Sequence, residues 1–347
     1  MMNGQFETIL QKIGLVQGVG PARLKPRHPA VAVTVLPGRV AAVRLGPPLA
    51  GRKGKDRRPV VTAYQEALLP AGMVVPSLTR ANFSEVAPVE EAIRTVLHGV
   101  APREDRVCLV LPDSVARVSI LRFNRMPATR REVVDLIRFR MQKVLPFRVE
   151  EAALDYQLLS QPDTLEPEFL VTLAQRTVLF QYERLLTGTG RLPGLVDLES
   201  FNLVNLLARA HRGEPESADW ALVNAASGYL TVLFFRQGSL CFYRSKAVAD
   251  EERSAGDRLV AALRRELASC AAFYREHLSG TMLAHAVLRA SNGESRVLPG
   301  LVQEELGCPV QALDAGLAVA LPAGSDGAEP RWQGLAPALG AALGRRP

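Results

Sequence analysis

Between Ala221 and Val310 the sequence changes period repeatedly, and this constrains the fold more than any other stretch. ALVNAASGYLTVLFFRQGSLCFYRS is rich in apolar and β-branched residues and is broken by small turn residues, as two apolar strands joined by a tight turn would be. SAGDRLVAALRRELASCAAFYREHL then spaces its apolar residues by three and four, the mark of a long amphipathic helix. AHAVLRA reads as a buried strand, SNGE as a small polar loop and LPGLVQEELGCPV as another helix. Strands separated by helices point to an α/β fold.

Length and composition fit that class. A chain of 347 residues, 48% hydrophobic, can bury a large core and is expected to divide into two lobes. Charges or prolines interrupt every apolar run before it reaches the roughly 18 residues of a membrane span. Gln5 to Val16 alternates polar and apolar residues at helical spacing and lacks the layout of a secretory signal, so a cytoplasmic protein is expected. Cys108, Cys241, Cys270 and Cys308 are far apart and form no CxxC pair, which points to small core hydrophobes and not to zinc or disulfides. The net charge of +7 is uneven, with ten Lys or Arg and one acid between Pro21 and Val60. Gly51 to Pro59 reads as a solvated turn, with acidic lipid as the alternative contact. GVGPARLK resembles one hairpin of a helix-hairpin-helix DNA module, but Pro26 and Pro29 stop its second helix, so no nucleic-acid partner is expected.

Along the chain, Ala30 to Leu45 reads as a hairpin turning at Pro37 and Gly38, Val60 to Leu69 as a third strand and Val86 to His98 as a helix. Strands follow at Arg106 to Leu111 and Ala116 to Phe123. Thr129 with Glu132 forms a capping box, and the helix it opens carries Val133, Ile137 and Met141 on one stripe and ends before Pro146. Arg130, Arg131, Arg138, Arg140 and Lys143 make the polar side of this helix basic. That is either a solvated face or a surface for a partner or an anionic membrane. Strands are expected at Leu154 to Ser160 and Glu168 to Ala174, and helices at Arg176 to Thr187, at Val196 to Ala210 and in the small-residue segment LAPALGAALG.

Five segments in this order resemble the PilM family of type IV pilus assembly proteins, relatives of the actin-like division protein FtsA. They are RREVVDLIRFRMQKVLPFRVEEAALDYQLL from Arg130, LPGLVDLESFNLVNLLARA from Leu192, DRLVAALRRELASCAAFYREHL from Asp257, LPGLVQEELGCPV from Leu298, and LAPALGAALG. The resemblance implies an actin-like, two-lobed α/β fold with an inserted α+β subdomain. Its layout would be an N-terminal helix and linker over 1–29, a first lobe over 30–103 and 193–212, the insert over 104–192 and a second lobe over 218–347. It also implies a protein peripheral to the inner membrane that holds the cytoplasmic tail of a bitopic PilN-like protein and connects it to pilus motor or platform proteins. Position on the capped helix selects Ile137, Phe139, Arg140 and Met141 as first candidates for that contact. The GspL cytoplasmic domain of type II secretion is a related reading.

An actin-like ATPase needs a carboxylate and glycine-bearing turns in two phosphate hairpins. The first family motif, Asp-Ile-Gly, is here Thr34, Val35 and Leu36, followed by Pro37, which has no N–H to donate. The second is Asn224, Ala225 and Ala226. The adenosine loop is reduced to Ser291, Asn292, Gly293 and Glu294. These departures predict a pseudo-ATPase with no cofactor, in which Asn224, Ser291, Asn292 and Gly293 are the vestige of a nucleotide site. The alternative is weak ATP binding, or an active ATPase or sugar-kinase-like enzyme with atypical loops. Walker A, GxSxG and HExxH motifs are all missing. Asp197 and Glu199 flank the presumed cleft, and Asp197 is expected to cap its helix.

Overall fold

The computed structural model describes residues 28–48, 57–159, 166–211, 218–226, 228–248, 256–290 and 297–344. The expected helix Gln5 to Val16 and residues 51–56 of the basic turn lie outside them.

Val31–Leu36 (β1) is buried at every position, as a strand covered on both faces must be. The Pro37-Gly38 turn, with Gly38 at φ +82°, leads into β2 (Arg39–Gly46) and then β3 (Val60–Leu68), both antiparallel. The amphipathic α1 (Val86–Val100) buries Val89, Ile93, Val96, Leu97 and Val100 and carries the chain to β4 (Arg106–Leu111), parallel to β1. The small sheet follows: β5 (Ala116–Arg122), α2 (Arg130–Met141), β6 (Ala152–Leu158) and β7 (Glu168–Gln175), in the antiparallel order β5-β7-β6. After it, α3 (Arg176–Gly188) leads to β8 (Leu192–Leu198), which joins β4 in parallel, and to α4 (Glu199–Ala210).

The second half repeats the plan. Three antiparallel strands, β9 (Trp220–Ala226), β10 (Tyr229–Arg236) and β11 (Ser239–Ala247), precede α5 (Gly256–His277), β12 (His285–Ala290), α6 (Leu298–Leu306), β13 (Val310–Ala312) and α7 (Pro330–Leu343). The two five-stranded sheets have the orders β3-β2-β1-β4-β8 and β11-β10-β9-β12-β13. Each is a meander whose first strand is central, extended by two parallel strands that arrive through helices. This duplication is the actin-like fold.

Four details differ from expectation. The second lobe opens with three strands, not two, because Gln237 and Gly238 both take positive φ, 48° and 76°, as a type I′ two-residue hairpin requires. Val196 to Leu198 belongs to β8, so the following helix begins only at Glu199. Within the expected insert 104–192, β4 lies in the first large sheet, and α3 packs Val178, Leu179, Tyr182, Leu185 and Leu186 into the first-lobe core. The small sheet and α2 have a separate core built from Phe123, Val133, Ile137, Met141, Phe169 and Val171. Lastly, α7 buries Trp332, Leu335 and Leu339 and packs chiefly on α4, β2, β1 and β4, although the sequence order placed it in the second lobe.

The capping box forms with a shift. Thr129 Oγ1 accepts the N–H of Glu132 at 3.1 Å, while Glu132 Oε2 accepts the N–H of Ala128, not Thr129, at 2.7 Å. Small residues bring α7 against α4 so closely that a Cβ on Gly340 would stand 1.8 Å from the Asn202 carbonyl oxygen. Gly340→Ala is therefore expected to cost about 1–3 kcal/mol through overpacking. Gly300→Ala on α6, whose Cβ would meet nothing within 4 Å, should be neutral or stabilising by up to about 1 kcal/mol. Urea denaturation of the two variants measures both.

Candidate functional site

In open α/β sheets ligands bind in the crevice beyond the carboxyl ends of the strands, and here those ends bring polar residues of both lobes together. Asp113 follows β4, Asp197 ends β8, Glu199 and Ser200 open α4, Asn224 lies late in β9, Tyr229 opens β10 and Arg289 lies late in β12. All are buried. Buried polar groups need partners, and these serve one another. The Ser200 backbone N–H donates to Asp113 Oδ1 at 3.0 Å and its hydroxyl donates to Oδ2. Asn224 Nδ2 donates to Asp113 Oδ2 at 3.3 Å and to Ser200 Oγ at 3.0 Å. Its Oδ1 accepts from Arg289 Nη1 at 3.0 Å.

Asn224 thus stands between a carboxylate and a guanidinium, donating to one and accepting from the other. An aspartate there would have no N–H for Asp113 and would place two carboxylates together. The amide that the sequence offers in place of the family carboxylate is required by its surroundings. Arg289 completes the link between the lobes. Its Nη1 stands 2.6 Å from Glu199 Oε1, with both side chains wholly buried, and its Nε donates to the Gln333 carbonyl on α7 at 2.9 Å. Tyr229 donates its hydroxyl to Glu199 Oε2.

Burial dominates the electrostatics. It pushes Glu199 up to about 7, against the opposing pull of the Arg289 guanidinium. Burial also raises Asp113, with the Ser200 hydrogen bonds drawing it back. Asp197 is raised well above the usual carboxylate range, first by burial and then by the charges of Asp113 and Asp155. Asp197 is not the expected cap. The N-cap position is Leu198, and Asp197 Oδ1 accepts the Leu198 N–H at 2.7 Å from the end of its own strand.

The first hairpin adds little. Thr34 is buried and its hydroxyl donates to the Ala41 carbonyl at 3.4 Å, within the sheet. The side chains of Asp113, Glu199, Ser200, Asn224 and Arg289 are all buried at the carboxyl ends of the strands. An open pocket of about 360 Å³ lies at the other ends of the strands, lined by Asp219, Arg236, Gln237, Ser279 and Thr281. Among the described residues no group of three or more His, Cys, Asp or Glu could hold a metal ion.

Of the sequence candidates, Asn224 is at the centre of the cluster, while Ser291, Asn292 and Gly293 lie outside the described residues. Ile137 and Met141 are buried in the small-sheet core and present nothing to a partner, whereas Phe139 and Arg140 are exposed. Their periodicity explains the split: residues 133, 137 and 141 share the inward stripe of α2. Sequence reasoning missed Arg289, Ser200, Tyr229 and Asp113. Arg289 had a signal, since it is the one charged residue in the apolar strand HAVLRA, and an arginine is rarely buried without a partner.

No family profile and no curated protein matches the chain. Solved structures do. A chain of the PilM-PilN type IV pilus biogenesis complex superposes with a TM-score of 0.76 at 18% identity, covering 92% of this chain and 98% of that one. A Bacteroides thetaiotaomicron protein with an actin-like ATPase fold gives 0.48 at 8% identity, over 83% of this chain and 92% of the other. The cytoplasmic domain of EpsL, a type II secretion component of Vibrio cholerae, gives 0.43 at 12%, over 75% and 81%. At these identities the likeness is one of fold, and this chain is PilM-like in fold.

Removing one partner of a buried ion pair strands the other. Arg289→Met is expected to cost about 3–5 kcal/mol in urea denaturation, and adding Glu199→Leu to restore most of it. Glu199 also sets a pH dependence. Its folded pKa lies above the ordinary value, so its stabilising contribution is complete below about 4.5 and is lost as pH rises through about 7. Denaturation midpoints should fall between pH 5 and 8, with Asp113 and Asp197 acting in the same direction, and Glu199→Gln should flatten the profile.

Proposed function

We propose that this chain is a non-catalytic, PilM-like scaffold of a type IV pilus inner-membrane platform, holding the cytoplasmic tail of a PilN-like bitopic protein. The observation that carries the reading is the buried Arg289–Glu199 ion pair, which joins the two sheets where the carboxyl ends of their strands meet. A nucleotide would bring several negative charges to a space that already holds Asp113, Asp197 and Glu199. The guanidinium of Arg289 already holds Glu199 and Asn224 through Nη1 and the Gln333 carbonyl through Nε. To admit phosphate, the lobes would have to part and leave Arg289 and Glu199 unpaired, at the cost expected for a broken buried pair.

A scaffold benefits from the same arrangement. Here the interactions that bridge the two sheets are internal, made by Arg289, Glu199 and Asn224 themselves. The body then offers a partner one shape, independent of nucleotide. The likeness to a chain of the PilM-PilN complex, over nearly the full length of both chains, supports a PilN-like tail as that partner. Placement at the cytoplasmic side of the inner membrane, through the partner, follows from the same reading. No helix among the described residues is long and apolar enough to cross a membrane.

Calorimetry with a PilN-type tail peptide should show saturable binding, and peptide at a hundredfold excess over its Kd should stabilise the chain by about 2.7 kcal/mol. Millimolar MgATP is expected to leave the unfolding midpoint unchanged and to be hydrolysed no faster than in buffer. Absence of peptide binding, or MgATP turnover abolished by Asn224→Ala, would overturn the proposal.

A further inference from the structure

The basic segment around α2 is not absorbed by the scaffold reading. Between Arg130 and Arg148 the sequence carries six basic and two acidic residues, and both acids are engaged. Glu132 caps the helix and pairs with Arg125 at 3.3 Å, and Asp135 pairs with Arg131 at 3.8 Å. Among the described residues Arg138, Arg140 and Lys143 have no carboxylate within ion-pair distance, and all three are exposed. The inward stripe of Val133, Ile137 and Met141 is sealed in the small-sheet core. Helical geometry therefore puts Arg131, Asp135, Arg138 and Phe139 on the outward face, and the exposed Gln142 and Lys143 stand in the turn that ends the helix.

Phe139 stands in this cationic face at 67% exposure, and Val144 follows just beyond the helix at 54%. A protein partner would normally take such an aromatic as an anchor within a larger apolar contact, closed off from water by its rim. The outward face of α2 offers one aromatic ring on a convex helix among exposed cations. This suits a deformable surface that accepts the ring at its interface and surrounds the cations with anionic headgroups. Long Arg and Lys stems let the charges reach outward while Phe139 inserts.

We infer that the outward face of α2 and the turn after it, through Arg131, Arg138, Phe139 and Lys143, form a docking surface for an anionic lipid bilayer. One such surface gives marginal, reversible and salt-sensitive binding. Joined to a tail anchored in the same membrane, it acts as a second, weak attachment that raises the effective affinity of both. It also sets the orientation of the small sheet, with α2 turned toward the headgroups. The inference goes beyond the scaffold reading and does not depend on the partner's identity.

The test is sedimentation of the intact chain with vesicles of phosphatidylcholine alone or phosphatidylserine-rich, without any peptide, with folding checked by circular dichroism. The wild type should bind phosphatidylserine-rich vesicles, lose binding at high salt and ignore neutral vesicles. Arg138→Glu with Lys143→Glu should weaken the partition coefficient by about tenfold or more. Phe139→Ser should weaken it several-fold with the net charge unchanged. Arg258→Glu with Arg275→Glu, an equal charge change on α5, should leave binding intact. Equal binding by the α2 variants, or an equal loss in the α5 control, would overturn the assignment. So would loss of tail-peptide binding in the α2 variants with vesicle binding retained, which would make the face a protein contact.

Discussion

The buried pair of Arg289 and Glu199 is the interaction on which the arrangement of the two lobes depends. Arg289 belongs to a strand of the second sheet, and Glu199 to the helix that follows the last strand of the first. Each ion alone in that interior would carry a large desolvation penalty, so each enforces the presence of the other. Because the partners come from different lobes, pairing them requires the lobes to be closed. Further hydrogen bonds run in the same direction, through Asn224 on Asp113 and Ser200 and through the Arg289 Nε on α7.

The polar cluster also explains why residues that depart from an actin-like nucleotide site sit comfortably where they are. Asn224 is the residue type that can accept from a guanidinium and donate to a carboxylate at once. Asp113 meets two donors from Ser200 and one from Asn224. These groups form a buried, interlinked network in which low local dielectric strengthens each contact made, although Arg289 Nη2 and Gln333 Oε1 are left without a hydrogen-bond partner. The duplicated sheets supply the frame. Each places the carboxyl ends of its strands at the interlobe boundary, where a fold of this kind would otherwise face a ligand.

Most of the elements were legible in the sequence because their apolar periods are local. The hairpin at Pro37-Gly38, the stripe of Val133, Ile137 and Met141, and the long helix ending in Phe273, Tyr274 and Arg275 all follow from spacing and turn chemistry. The errors also have physical causes. Val196 to Leu198 continues an apolar pattern that suits either state until β4 claims it by parallel pairing. The expectation that Ile137 and Met141 meet a partner failed because a stripe so regular is more useful as core, and the small sheet supplies the other half of that core.

The sequence by itself determined the succession of strands and helices, the departures from the phosphate hairpins at Thr34 to Leu36 and Asn224 to Ala226, and the basic character of α2. Each of these depends on residues within a few positions of one another. Only the tertiary structure decided that α7 returns to the first lobe, that α3 joins it, and that Arg289, Asn224, Ser200, Asp113 and Glu199 form one network. Those partners come from distant parts of the chain, and the favourable energy of their pairing exists only after water has been excluded by packing that no local period specifies.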